Sequence, residues 1–385
     1  MHLIRYVRQL FALAALLAAC AAPAPSASAP AGSGGASAAP AGAAAAPVSA
    51  GATGPTQAPA AAPSAQSIVH LNMATQHLTT DVATYVAKER GYFTEQGLDV
   101  ELVDIATSQG SIPPLASGQL DVGVGSMSPG LFNAIGRGID IKLVATKGAG
   151  APSPDSPFEG TNALVVAASA RDAIRDYPDL RGKSVALPDR GSTLELTLTK
   201  ALDRGGLTID DVDLKLVSFP DTLLALANGS VDAAMELEPY IAQGKARGIL
   251  EVWKRGAELV PGQQATAVVY GPTMAQMAGN PGGRLMVAYT RGLRDYNDAI
   301  GPKRQGREEL IQTLIRNTAL RDRAIYDQIG WGYFNPDCAL NADSVAEILD
   351  WYVANGSVPQ RPDLAQTIDN RPCAYAVQQL GPYQP

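Results

Sequence analysis

Short apolar segments alternate with segments of helical spacing along most of the chain. Ile68 to Met73 is predicted to form a strand, and Val82, Tyr85 and Val86 then fall on one face of a helix that stops at Gly91. This alternation predicts an α/β fold class. Further strands are predicted at 100–103, 163–168, 184–187, 212–217 and 266–270.

The pattern becomes helical after residue 270, and its apolar stripes are more typical of core-facing helices than of a membrane or cofactor surface. Ser344 and Glu347 have the spacing of a capping box, which predicts the start of a helix that ends at Asn355 and Gly356. The two earlier stripes consist of Leu285, Tyr289, Leu293, Tyr296 and Ile300, and of Leu310, Ile311, Leu314 and Ile315.

One pattern occurs twice. In residues 115–129 a short helix ends at Gly118, a strand of small residues follows, and polar residues with a Pro open the next helix; residues 226–239 repeat this order around Gly229. A strand precedes each copy, so the same β-α-β unit is used twice. Two similar lobes imply a ligand cleft between them, because open α/β sheets bind ligands beyond the carboxyl ends of their strands.

Candidate ligand residues in the first lobe follow its strands. Gln76 and His77 lie in the loop after the first strand, and Ser126 and Met127 follow the strand of the first repeat copy. His77 is the candidate contact there, with a solvated loop histidine as the alternative.

A helix start in the second lobe is a candidate anion site. Gly191, Ser192 and Thr193 follow the strand at 184–187 and open a helix that ends at Gly205 and Gly206. Free backbone N–H groups and the helix dipole favour an anion there. The alternative is that Ser192 or Thr193 only caps the helix.

Glu236 and Glu238 follow the strand of the second copy, at the place that Ser126 and Ser128 hold in the first. Facing the cleft, they would favour a cationic or hydrogen-bond-donating ligand group; solvated loop carboxylates are the alternative. The helix start indicates an anionic ligand, whereas these carboxylates indicate a ligand that donates hydrogen bonds. The charge of the ligand therefore stays open.

The amino end has the layout of an export signal. Arg5 and Arg8 precede an apolar run from Leu10 to Ala19, which is too short for a membrane span, and Cys20 follows small residues. The ending Leu-Ala-Ala-Cys resembles a bacterial lipoprotein signal, in which Cys20 would carry the lipid. A simple secretory signal with an incidental Cys is the alternative.

Residues 21–66 are almost only Ala, Pro, Ser, Gly and Thr, without charge. Such a segment cannot bury enough surface to offset its ordering entropy, so we expect a disordered tether.

Charge and cysteines restrict the partners of residues 67–385. Without Arg5 and Arg8, 28 basic residues stand against 37 acidic ones, a formal charge of −9. This argues against nucleic acid or anionic lipid as a partner. Cys338 and Cys373 are a possible disulfide in an oxidising compartment, or else two free thiols; neither has a metal-ligand spacing, and no metal or other cofactor is expected.

Several segments together resemble the solute-binding receptors of ABC importers, in the group for sulfonates, nitrate and thiamine-precursor pyrimidines. They are 85–93, 115–123, 138–145 and 179–186, followed by the second repeat copy. The resemblance implies the two-lobed periplasmic-binding-protein-like fold of type II, with hinge strands at 163–168 and 266–270. Lobe 1 would then comprise 67–167 plus 265–385, and lobe 2 would comprise 168–264. Tyr270, at the end of the second hinge strand, joins the candidate ligand residues.

The resemblance implies a monomeric, lipid-anchored extracytoplasmic receptor that closes on a small solute and delivers it to a membrane permease with a separate ATPase. An enzyme is not expected, because the chain has three His and lacks the Gly-x-Ser-x-Gly, Walker and His-Glu-x-x-His motifs. A sensory ligand-binding component is the alternative. An enzyme similar to thiamine-pyrimidine synthase ranks last, because the Cys-rich motif of that synthase is absent.

Overall fold

The computed structural model describes residues 68–153 and 155–385, all within a compact unit spanning Ser64–Pro385. The predicted signal, Cys20 and the tether lie outside the described residues. The described residues form ten strands: β1 Val69–Thr75, β2 Leu98–Asp104, β3 Val122–Ser126, β4 Lys142–Ala149, β5 Asn162–Ala167, β6 Ser184–Leu187, β7 Asp213–Leu216, β8 Ala233–Leu237, β9 Leu250–Arg255 and β10 Gln264–Tyr270.

The helices that pack on these strands are α1 Val82–Glu89, α2 Tyr92–Glu95, α3 Ile112–Ala116, α4 Pro129–Gly136, α5 Thr193–Arg204, α6 Phe219–Ala227, α7 Tyr240–Ala246, α8 Gly256–Leu259, α9 Pro272–Gln276, α10 Pro281–Ile300, α11 Arg307–Asn317, α12 Ala342–Ala354, α13 Leu364–Thr367 and α14 Arg371–Leu380. None of the helices in the described part of the chain is long and apolar enough to cross a membrane.

The strands form two sheets of the same design, which confirms the predicted two-lobed α/β fold. Sheet A has the order β2-β1-β3-β10-β4 and sheet B the order β7-β6-β8-β5-β9. In each sheet three parallel strands are followed by one antiparallel strand, β10 in sheet A and β5 in sheet B. We call sheet A with its helices lobe 1 and sheet B with its helices lobe 2.

The two copies of the repeat occupy matching places. The first provides α3 and β3, and the second provides α6 and β8. Gly118 and Gly229 follow the two helices with φ of 76° and 75°, the left-handed cap that both copies predicted.

The strand pairing shows to which sheet each predicted hinge strand belongs. β5 pairs with β8 and β9 and lies wholly in sheet B, whereas residues up to 167 were expected in lobe 1. β10 pairs with β3 and β4 in sheet A. The chain therefore passes between the sheets just before each of these strands.

The helices after β10 pack mainly on lobe 1. Tyr289 and Tyr296 of α10 and Ile311 of α11 are buried in its core. The capping-box prediction at Ser344 and Glu347 is wrong, because α12 begins earlier, where the Asn341 side chain accepts a hydrogen bond from the Ser344 N–H. Ser344 Oγ instead accepts from the Gln264 N–H at 2.9 Å.

A disulfide joins Cys338 to Cys373 over a sequence separation of 35 residues. It connects the segment before α12 to the first turn of α14, and both sulfur-bearing side chains are buried in the core of lobe 1. The carboxyl-terminal helices are thereby fixed to that lobe.

Candidate functional site

A small pocket, with a cavity volume of about 10 Å³, lies where the two lobes meet. Lobe 1 contributes the loop after β1, and lobe 2 contributes the residue before β5 and those after β8. Each sheet therefore faces the pocket with the side at which its parallel strands end. A third wall comes from the segment between α11 and α12. The residues that line this interlobe pocket are Thr79, Thr80, Thr161, Glu238, Pro239, Tyr296, Ile329, Gly330, Trp331, Gly332 and Phe334.

The loop after β1 is organised by a buried carboxylate. Asp81 Oδ2 accepts from the Gln76 and Leu78 N–H groups, each at 3.1 Å, and Oδ1 pairs with Lys147. The Asp81 and Lys147 side chains are 0% and 1% exposed. Sequence reasoning missed this ion pair. It stabilises the loop that contributes Thr79 and Thr80 to the pocket wall.

Gln76 and His77 make structural contacts in this loop. Gln76 Oε1 accepts from Ser108 Oγ at 3.1 Å. The His77 ring is within hydrogen-bond distance of Asp104 Oδ1 (2.7 Å) and the Asn317 backbone oxygen (2.8 Å), and these contacts raise its pKa above the usual value. Neither residue lines the interlobe pocket, and contact with a ligand stays a prediction.

Ser126 and Met127 lie at the cleft edge of sheet A, where β3 ends. Ser126 pairs with Thr266 of β10 and is partly exposed. Met127 is fully buried; its N–H donates to the Ala265 oxygen, and its own oxygen accepts from the Tyr352 hydroxyl. Met127 therefore anchors the strand end to α12, and ligand contact at these residues is untested.

The start of α5 carries its own anion. Ser192 Oγ accepts from the Glu195 N–H at 3.3 Å, which is the capping role considered as the alternative. The buried Glu195 carboxylate accepts from the Gly191 N–H and lies 2.7 Å from Arg190 Nε. The positive end of the α5 dipole thus already has the Glu195 carboxylate beside it. Binding of an anionic ligand near Thr193 stays a prediction.

Gly191 also marks where the two lobes touch. A Cβ at this position would lie 3.6 Å from Cγ of Pro129, the first residue of α4 in lobe 1. Its φ of 70° is in the left-handed region that favours glycine. A Cβ here would be in ordinary van der Waals contact with the opposite lobe.

Glu236 and Glu238 are buried, so the alternative of solvated loop carboxylates is wrong. Glu236 is 0% exposed, and burial raises its pKa to about 8. The Glu238 side chain is 3% exposed, and burial also raises its pKa. Among these two, only Glu238 lines the interlobe pocket.

Glu238 connects the lobes. Its Oε1 accepts from the Gly330 N–H at 2.8 Å, and its Oε2 accepts from the Ala242 N–H at 3.0 Å. Arg255 Nη1 lies 3.7 Å from Oε1, and the same guanidinium pairs with Glu159 through Nη2. A lobe 2 carboxylate is therefore bonded to the backbone of the segment that packs on lobe 1.

Tyr270 lies away from the other candidates. It pairs with Val122 at the start of β3, four residues from Ser126, which corresponds to about 13 Å along a strand. Its hydroxyl donates to the Gly282 oxygen at 2.7 Å. The antiparallel direction of β10 places its last residue at the edge of sheet A opposite the cleft, so the pocket does not include it.

Sequence reasoning missed the wall formed by residues 329–334. Its members follow no helical or strand period, and the candidate ligand residues were sought only at strand ends. The run Gly330-Trp331-Gly332, an aromatic residue between two glycines outside any periodic segment, is the signal that was available. Within 68–153 and 155–385, no group of three or more His, Cys, Asp or Glu is arranged to hold a metal ion.

Comparison with known proteins agrees with this architecture. Residues 79–259 match the family model described as NMT1/THI5 like. The chain is 25% identical over 273 residues to a protein of Escherichia coli (strain K12) named for binding aliphatic sulfonates, covering 70% of this chain and 79% of the relative.

Two solved structures share the fold. One is the periplasmic aliphatic sulphonate binding protein of Escherichia coli, with a TM-score of 0.63, 22% identity, and coverage of 78% of this chain and 92% of that one. The other is the periplasmic nitrate-binding protein of Synechocystis PCC 6803, with a TM-score of 0.61, 13% identity, and coverage of 82% and 89%.

Proposed function

Since the chain belongs to the NMT1/THI5-like family and is homologous to periplasmic binding proteins of ABC importers, we propose that it is the solute-binding component of such an importer. It captures a small solute of the sulfonate, nitrate or thiamine-precursor pyrimidine type. The observation that carries this proposal is the interlobe pocket, whose walls come from the cleft-side edges of both sheets.

Capture depends on the movement of two lobes about the segments before β5 and β10. Thr79 and Thr80 move with lobe 1, whereas Thr161 and Glu238 move with lobe 2. A solute that contacts both sets is bound fully only when the lobes close, so it stabilises the closed form by its differential affinity. The relatives named above are binding proteins, which also supports a receptor over an enzyme.

The closed form then docks on a membrane permease that a separate ATPase powers. In the same proposal the receptor is a monomer outside the cytoplasmic membrane, attached by lipid at Cys20 and set away from it by residues 21–66. Metabolic labelling with a radioactive fatty acid tests the anchor: wild type should incorporate label, and Cys20→Ala should not.

Solute binding is tested by a thermal-stability screen of the purified protein. The panel contains alkyl and aryl sulfonates, nitrate, taurine and thiamine-precursor pyrimidines. A solute at 100 times its Kd should add about 2.7 kcal/mol to the free energy of unfolding, which gives a clear rise in Tm.

The matched variants are Thr161→Val in the pocket and Thr199→Val on α5 outside it. Thr161→Val should weaken any observed shift because it removes a pocket hydroxyl, and Thr199→Val should not. A panel in which no compound raises Tm, or in which both variants behave alike, would argue against solute binding in this pocket.

A further inference from the structure

The lining of the interlobe pocket is poor in positive charge. Of its eleven described residues, Glu238 alone carries a charged side chain, and no Lys, Arg or His is among them. The other polar side chains near its mouth are the hydroxyls of Thr79, Thr80 and Thr161. An anionic solute in this pocket would meet a carboxylate and no lining cation.

Basic side chains around the pocket are already engaged with carboxylates. Lys147 pairs with Asp81, and Arg190 pairs with Glu195 at the start of α5. Arg255 faces both Glu159 and Glu238. Arg307 lies over the Trp331 ring, 5.2 Å from its centroid, and its guanidinium is 3.8 Å from the Asp327 carboxylate. Each of these cations therefore has a carboxylate of the chain beside it, which weakens its attraction for a bound sulfonate or nitrate.

Carboxyl groups, in contrast, outnumber basic side chains on the lobe 2 side. Glu236 lies two residues before Glu238, and its Oε2 is buried without a hydrogen-bond partner among the described atoms. Arg255 is shared by two carboxyl groups, those of Glu159 and Glu238. Lys245 of α7 also attracts Glu238, but this lysine is exposed and screened by water.

Aromatic rings also line the pocket. Tyr296 and Phe334 meet edge to face with ring centroids 4.8 Å apart, and the Trp331 ring lies 6.1 Å from Tyr296. The faces of aromatic rings carry partial negative charge and attract cations. Carboxylate and rings together thus favour the same sign of ligand charge.

We infer that the interlobe pocket takes an organic solute with a cationic nitrogen group, such as an amine or amidine, rather than a sulfonate or nitrate. The inference rests on the proposed solute-binding function and narrows its ligand class. The cationic group donates to Glu238, and the hydrocarbon or ring part of the solute packs on Trp331 and Phe334.

The test exchanges the head group on a constant skeleton. Binding to the purified protein is measured by titration calorimetry and thermal shift for butylamine, 1-butanol and butane-1-sulfonate, and for benzylamine, benzyl alcohol and phenylmethanesulfonate. The amine should bind most tightly in each series. Glu238→Gln, which keeps an acceptor oxygen and removes the charge, should weaken amine binding roughly 10- to 100-fold.

Glu251→Gln is the control, because Glu251 is a lobe 2 carboxylate that pairs with Arg171 and does not line the pocket; this variant should leave amine binding unchanged. Tighter binding of the sulfonates or alcohols overturns the inference and leaves the proposed function intact. Absence of binding for all six compounds overturns the inference, and it contradicts the proposed function itself when the thermal-stability screen described above is negative as well. If Glu238→Gln fails to fold, the order of affinities of the wild-type protein for amine, alcohol and sulfonate still tests the inference.

Discussion

At the scale of single residues, His77 contacts only acceptors at its two ring nitrogens. Nδ1 faces the backbone oxygen of Asn317, and Nε2 faces a carboxylate oxygen of Asp104. Both hydrogen bonds can form together only when each nitrogen carries a hydrogen, which is the imidazolium form. The loop after β1, the end of β2 and the end of α11 are therefore held together by a group that titrates near neutral pH.

We expect this contact to make stability depend on pH. The folded-state pKa of His77 is raised, first by the hydrogen bond with Asn317 and then by that with Asp104, while Asp81 adds attraction. Its contribution is therefore fully present below the unfolded pKa of about 6.5 and is lost as pH rises through the folded pKa. His77→Asn, which tolerates the φ of 55°, should flatten the fall of the urea midpoint as pH rises above about 6.5.

The control for this prediction is His70, whose pKa is also raised, mainly by its hydrogen bond with Asp99. His70→Asn should leave the part of the pH dependence that belongs to His77 in place. A His77→Asn variant with the pH profile of wild type would contradict the prediction.

At the scale of elements, most strands and the repeated unit were predictable because they follow from local pattern, whereas β4 and β9 were not predicted. Gly118 and Gly229 end their helices as left-handed caps, a property of single residues that sequence shows directly. The place of Tyr270 was not predictable, since the direction of β10 in sheet A depends on pairing with distant strands. The wall at 329–334 was missed for the same reason: only tertiary packing brings it to the cleft.

The contact of α5 with α12 joins elements of different lobes. Leu196 of α5 is 1% exposed and belongs to the core cluster that contains Ile348 and Leu349 of α12. Beside it, Lys200 Nζ lies 2.9 Å from Glu347 Oε1 at the surface. Gln263, between the lobes, donates to the Thr193 oxygen at 3.3 Å and so holds the first turn of α5.

Leu196→Ala should lower the free energy of unfolding by roughly 2–5 kcal/mol, because it removes a buried side chain from a packed interface. Urea denaturation followed by circular dichroism measures this change. Leu224→Ala is the matched control: this leucine of α6 is 60% exposed, so its truncation should cost less than about 0.5 kcal/mol. Equal losses in the two variants would show that the α5–α12 contact contributes little.

At the scale of the whole molecule, the chain enters lobe 2 after β4 and returns to lobe 1 at β10. Residues 271–385 then add α9 to α14. This returning segment supplies Trp331 and Phe334 to the pocket and α12 to the contact with α5. The position of the carboxyl-terminal helices on lobe 1 therefore affects both the pocket and the contact between lobes.

The disulfide between Cys338 and Cys373 restrains this segment. Closing a loop with a sequence separation of 35 residues is worth about 4 kcal/mol in the chain-entropy model. The double variant Cys338→Ser/Cys373→Ser should therefore lose about 4 kcal/mol of unfolding free energy in denaturant titrations. Reductant should lower the stability of wild type by a similar amount and leave the double variant unchanged, since the variant has no bridge to break. A reductant effect of equal size on both proteins would mean that the loss arises elsewhere than in this bridge.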